Sequence, residues 1–146
     1  MTCLNFRFVC MIFLFMVVPA SSWANHAIVN CGSIGFWQGN DLPAGSQYYV
    51  WLMNDDRVQV QGSDERWKDA GVATYGTDEV SVRDVALSDF QKGDVIAGPN
   101  FQMTLRNEFE HKTSKPRRFF SASFRAHPTD GGPEAGGYLE CECGLK

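Results

Sequence analysis

Apolar side chains along this chain recur mostly at every second position, and few segments show the 3, 4, 7 spacing of a helix, so the pattern predicts half-buried strands. The clearest run is PNFQMTLRNEFEH: Phe101, Met103, Leu105 and Phe109 share one face, with Gln102, Thr104, Arg106, Glu108 and Glu110 on the other. RRFFSASFRAH follows, with Phe120, Ala122, Phe124 and Ala126 on one side, after a polar loop HKTSKPR whose proline stops pairing. The two runs read as a hairpin. Facing both apolar sets to one core pairs Phe109 with Phe120 and Leu105 with Phe124, which sets Arg106 opposite Ser123 and Glu108 opposite Ser121.

A second hairpin is predicted from QYYVWLM and VQVQG, joined by NDDR. Its first strand is apolar on both faces, with Tyr48, Val50 and Leu52 on one and Tyr49, Trp51 and Met53 on the other. Such a strand is either covered on both sides or lines a binding surface. Further strands are expected at Ala27 to Cys31, Gly71 to Tyr75, Glu79 to Leu87, Asp94 to Ala97 and Tyr138 to Cys143, with Ala86 to Gln91 a short helix as the alternative. The glycine-rich AHPTDGGPEAGGY reads as a long mobile loop. The pattern implies an all-β fold, an antiparallel β-sandwich or small β-barrel of about seven or eight short strands.

The start of the chain changes the picture of where this domain works. Arg7 precedes an unbroken apolar run from Phe8 to Val18, and Ser22-Trp23-Ala24 offers small residues for cleavage, as in a secretory signal peptide over residues 1–24. Eleven apolar residues closed by Pro19 are about half of the ~20 needed to cross a bilayer, so no membrane span is expected after cleavage. The remaining 122 residues form a single β domain over 25–146, placed outside the cytoplasm, extracellular or periplasmic. They carry 12 Lys and Arg against 17 Asp and Glu, net −5, which argues against nucleic-acid binding.

An oxidising compartment makes a disulfide the default for cysteines that can meet. Cys141 and Cys143, two apart on one strand face, point in parallel and do not suit each other. Cys31 is the remaining candidate outside the leader and is expected to pair with Cys141, with Cys143 as the alternative partner. The spare thiol is then a buried passenger or the link in a disulfide-bonded dimer. Zinc held by the three cysteines and His26 has irregular spacing, and no metal or cofactor is expected.

Two features suit ligand recognition. His111, Lys112, Lys115, Arg117 and Arg118 put five basic or titratable groups into eight residues of an acidic protein, a loop for anions or acidic sugars, or else a solvated turn that prevents aggregation. The aromatics Trp37, Tyr48, Tyr49, Trp51, Trp67 and Tyr75 are the second feature. Those that are exposed, with Trp37, Tyr49 and Trp51 as candidates, could stack on sugars or anchor a protein. Catalysis has thinner support: no G-x-S-x-G, H-E-x-x-H, P-loop or C-x-x-C is present, and Glu108, Arg106, His111 and His127 offer a single acid–base candidate. The composition therefore favours a secreted non-catalytic binding protein for an extracellular carbohydrate or protein. A secreted inhibitor or toxin-like effector of a partner protein is the alternative, and a small hydrolase follows.

Overall fold

The computed structural model describes residues 27–37, 48–53, 55–113 and 116–144. The expected leader and Lys115 lie outside them. The strands are β1 (Ala27–Ser33), β2 (Tyr49–Met53), β3 (Arg57–Gln61), β4 (Trp67–Val72), β5 (Thr74–Tyr75), β6 (Val95–Gly98), β7 (Phe101–Phe109), β8 (Arg117–Ala126) and β9 (Ala135–Gly144). All pairings are antiparallel, in one nine-stranded sheet of order β4-β3-β2-β1-β9-β8-β7-β6-β5 that nearly closes into a barrel. Of the two expected architectures the sheet comes nearer the barrel.

Closure follows from the chain itself. β4 and β5 stand at opposite ends of the strand order, yet Ala73 alone separates them. The two edges must therefore lie side by side. The Ala73 N–H donates to the Asp56 carbonyl at 2.9 Å. Gly98 of β6 comes so near this seam that an added Cβ would sit 1.7 Å from the Val72 carbonyl oxygen, so a side chain there would push the seam open.

Alternation carries one face of every strand inward. Val29, Val50, Leu52, Val58, Ile96, Met103, Leu105, Phe120, Ala122 and Leu139 are sealed from solvent in a single core. Two 3₁₀ turns, Val82–Asp84 and Leu87–Asp89, place Val82, Val85 and Phe90 across one barrel mouth. This segment replaces the strand expected at Glu79 to Leu87; only an isolated bridge, Tyr75 with Val80, remains of it. At the other end the Gly-rich segment is shorter as a loop than expected, because β9 already begins at Ala135 and takes in Gly136 and Gly137.

The β7–β8 register differs from the expected one by two residues, with Leu105 opposite Ala122 and Met103 opposite Phe124. A slip of two leaves each side chain on its predicted face. A bulge between Leu105 and Glu108 then reverses the alternation. Phe109 consequently faces outward opposite Phe119, while Glu108 joins the inward row opposite Phe120 at the barrel mouth.

β1 and β9 are neighbours in the middle of the sheet, and Cys31 lies directly opposite Cys141. They form the disulfide, 110 residues apart in sequence, as expected. Closing a loop of that length stabilises the fold by about 4–5 kcal/mol in the chain-entropy account. Cys143 is a fully buried free thiol, and burial pushes its pKa up to about 12 despite the opposing pull of Arg118. Of the two readings of the spare thiol it is therefore the buried passenger, and a disulfide-linked dimer has no exposed sulfur to use at this position.

Two outcomes follow. Replacing both Cys31 and Cys141 by Ala lowers the unfolding free energy in urea by about 2–5 kcal/mol; an unchanged midpoint would show that the bond adds nothing to the paired strands. A thiol-reactive reagent at pH 8, followed by peptide mapping, leaves Cys143 unmodified in the native protein and modifies it fully in denaturant.

Candidate functional site

With the inward face filled, the side chains open to solvent are those of the outward face. Pairing sets Trp51, Gln59 and Asp69 in one outward row and Tyr49, Gln61 and Trp67 in the next. Trp51 and Trp67 thus stand on strands either side of β3 and one row apart. Their indoles meet over β3 with centroids 4.8 Å apart at 42°, and each residue is 41% exposed. Sequence periodicity missed the start of β4, because ERWKD has no alternation to read, and so missed this partnership.

The chain leaving β1 folds back over the same face. Phe36 N–H closes the turn on the Ser33 carbonyl at 2.9 Å, and the Phe36 ring lies on Gly32. An added Cβ at Gly32 would come 2.4 Å from Phe36 Cγ, so the ring occupies the place of the missing side chain. From there aromatic contacts continue: Phe36 to Tyr49 at 5.4 Å, Phe36 to Trp37 at 4.7 Å, Trp37 to Phe119 at 5.7 Å and Phe119 to Phe109 at 5.7 Å. All three aromatic candidates, Trp37, Tyr49 and Trp51, therefore lie on one outer face. Phe36, Trp67 and Phe119 join them. The sequence reading ended this strand at Cys31, so Gly32, which within a strand would have marked a close approach, was passed over.

Glu140 holds the returning turn. It lies opposite Gly32 and faces outward, yet is only 2% exposed. The Gly35 N–H donates to its Oε1, and the Trp37 indole N–H donates to its backbone carbonyl at 3.1 Å. Its Oε2 is buried without a hydrogen-bond partner among the described residues, as is Oδ1 of Asn30. Glu142, next outward on β9, accepts from Arg117 Nε at 2.8 Å.

The basic loop borders a cup of about 720 Å³ lined by Glu108, Phe109, Glu110, His111, Lys112, Arg117, Arg118 and Phe119. Lys112 is exposed at its rim. Arg117 is held by Glu142. Arg118 forms a two-pronged pair with Glu108 at 2.6 and 3.0 Å, and its Nη1 donates to the carbonyls of Leu87 and Phe90 at 2.9 and 2.7 Å. It thereby ties the 3₁₀ cover to the barrel rim, with its guanidinium 5.0 Å from the Phe120 ring centroid. The hydrogen bond from Arg118 holds the Glu108 carboxyl below its ordinary range, and Glu108 in turn raises Arg118.

His111 and His127 stand beyond opposite ends of the β7–β8 hairpin, both exposed. The acid–base grouping considered with Glu108 and Arg106 is not assembled. Among the described residues no cluster of three or more His, Cys, Asp or Glu could hold a metal ion, and no helix is long and apolar enough to cross a membrane.

The Arg118 linkages can be tested through pH. Since the folded pKa of Glu108 is lowered, the unfolded chain binds more protons in that window; the pair's contribution is complete above 4.5 and is lost as pH falls through the lowered folded value. With the Glu108 side chain 47% exposed, that contribution is under about 1 kcal/mol. Glu108→Gln should remove it and flatten this part of the acid stability curve, whereas Arg118→Ala, which also strips two carbonyls of a donor, should cost about 1–3 kcal/mol at neutral pH. Equal effects of the two variants at pH 7 would show that the carbonyl bonds carry no weight. No known protein family, curated protein or solved structure matches this chain.

Proposed function

We propose that this chain is an exported, non-catalytic binding protein that takes an extracellular carbohydrate or protein on its outer aromatic face. The observation that carries the reading is the half-exposed Trp51–Trp67 pair, set in one outward field with Tyr49 and the exposed Phe36. Large exposed rings on a rigid sheet concentrate binding energy, because they bring much apolar area at little conformational cost. Ile34, Phe36, Trp51 and Trp67, each above 40% exposed, are hard to account for as packing alone. Export is supported by the leader-like start of the sequence and by the Cys31–Cys141 bond, a linkage that persists in oxidising compartments. The basic loop is the weaker candidate surface, since both its arginines already serve ion pairs.

A glycan array run beside a pull-down from extracellular fluid identifies which ligand class binds. Against the captured ligand, the double variant Trp51→Ala with Trp67→Ala should bind at least about tenfold more weakly, with the thermal midpoint little changed because neither indole belongs to the core. Undiminished binding by a folded double variant would remove the aromatic face as the contact surface.

A further inference from the structure

Tyr48 closes one barrel mouth, packed edge-on against Phe124 at 5.6 Å, and it also lines a hollow of about 280 Å³. One wall of the hollow is the β3–β4 hairpin, with Ser63, Asp64 and Lys68; the other is the segment from Pro128 to Ala135. Ser63, Asp64, Pro133 and Glu134 are exposed, so the space between the walls is open to solvent. Both walls are set before any ligand arrives. The Glu65 N–H closes the hairpin turn on the Gly62 carbonyl at 3.1 Å. The Thr129 N–H and hydroxyl both donate to the Asp69 carbonyl, at 2.9 and 3.2 Å, which ties the second wall to β4.

The buried part of the lining is apolar, with Val60, Pro128 and Ala135 beside the half-buried Tyr48, while both walls carry polar groups. The charges are matched. Lys68 Nζ lies 3.1 Å from Asp64 Oδ2, and Arg125 Nε donates to Glu134 Oε1 at 2.9 Å, with His127 Nε2 at 3.7 Å from the same oxygen. Among the described residues the groups left unengaged are the hydroxyls of Tyr48 and Ser63, the remaining N–H groups of Lys68 and Oε2 of Glu134.

We propose that this hollow is a second binding site, separate from the outer aromatic face, and that it takes one pyranose ring of a neutral sugar. Its volume stands just below the ~300–1,000 Å³ of drug-sized ligand sites, which suits a single ring and is too small for a helix or strand of a partner. Matched charges give an ion no net field to enter by, so a neutral ligand is favoured over a phosphate, a carboxylate or an amine. The unengaged groups stand on facing walls, donors of Lys68 and Ser63 on the hairpin and an acceptor of Glu134 on the other. A ligand must therefore answer both at opposite edges while laying an apolar face on Tyr48. A pyranose does so, with C–H groups on its face and hydroxyls around its rim that both donate and accept. An aliphatic side chain answers neither wall, and a phenol has a single hydroxyl to offer.

The test uses the full chain labelled with nitrogen-15 and follows the backbone amides of Ser63, Lys68 and Ala135 by nuclear magnetic resonance. The probes are the methyl glycosides of glucose, galactose, mannose, xylose and N-acetylglucosamine, with methyl glucuronide, glucosamine and para-cresol beside them. At least one neutral glycoside should shift all three amides saturably, and the acidic, amino and phenolic probes should bind more weakly. Lys68→Met, which breaks only a partly exposed ion pair and so leaves the barrel folded, should weaken that glycoside about tenfold. Tyr48→Phe combined with Ser63→Ala, which keeps the ring, should do the same. Trp51→Ala with Trp67→Ala should leave it unchanged, since neither indole lines the hollow. Undiminished binding by either folded hollow variant, or a response lost in the tryptophan double variant, overturns the site. Tighter binding of glucuronide, glucosamine or cresol overturns the neutral sugar, and silence with every probe overturns the proposal. None of these outcomes touches the reading of the outer face, whose own test is the captured ligand.

Discussion

The pairing of β1 with β9 is the contact on which the barrel depends. The strand order separates into two runs, β1 to β4 and β5 to β9, in which every strand pairs with its neighbour in sequence. Hairpin contacts of that kind form with little loop-closure cost. The two runs are then joined twice: covalently through Ala73, and non-locally where the first strand meets the last. Only the second join needs distant parts of the chain to find each other. It is also the place of the Cys31–Cys141 bond, which lowers the entropy of the unfolded chain at the contact where closure is most expensive.

A sheet that nearly closes on itself has little free edge to offer a partner, since closure is what removes edges. Its mouths are occupied as well, one by Phe90 and its 3₁₀ neighbours under the Arg118 bonds, the other by Tyr48 packed against Phe124 at 5.6 Å. What remains is the outward row of each strand. On β7, outward Gln102 faces solvent and Arg106 lies over the exposed Tyr138 ring of β9 at 5.2 Å. On β2 and β4 the corresponding places hold Tyr49, Trp51 and Trp67. The departure from polar-out alternation, which also includes Tyr138 on β9 and Phe109 on β7, is densest there, and it coincides with the turn that brings Phe36 and Trp37 back over the sheet.

Alternation made much of this architecture legible: the β7–β8 and β2–β3 hairpins and the all-β class follow from period and parity, which also put Cys141 and Cys143 on one face and left Cys31 to pair with one of them, Cys141 in the structure. Glu79 to Leu87 misled because Val80, Val82 and Val85 look like strand residues, although Val80 stays exposed in its isolated bridge while Val82 and Val85 cap a mouth around the 3₁₀ turns, a tertiary role with no period of its own. The bulge after Leu105 was invisible since Arg106, Asn107 and Glu108 are all polar and no apolar residue records the change of phase. That missed residue explains why Glu108 and Arg118, read as loop and face charges, became a rim clamp. For the candidate site, the aromatics of β2 were legible from their presence on both faces. Glu140 was not, as an acid at an outward strand position is normally in water.

The burial of Glu140 is also what gives the aromatic face a definite shape. A turn of four residues, Ile34 to Trp37, carrying two large rings would ordinarily sample many arrangements, and each would have to be ordered when a ligand arrived. Here Glu140 accepts the Gly35 N–H with its side chain and the Trp37 indole N–H with its backbone, fixing the turn at two points, while bare Gly32 lets Phe36 settle directly on the sheet. The rings are thus ordered by folding rather than by binding, and a ligand need not supply that entropy. An outward acid under a turn is unfavourable for stability alone when one of its oxygens has no partner among the described residues. Its placement makes sense if the arrangement above it matters more than the small loss beneath.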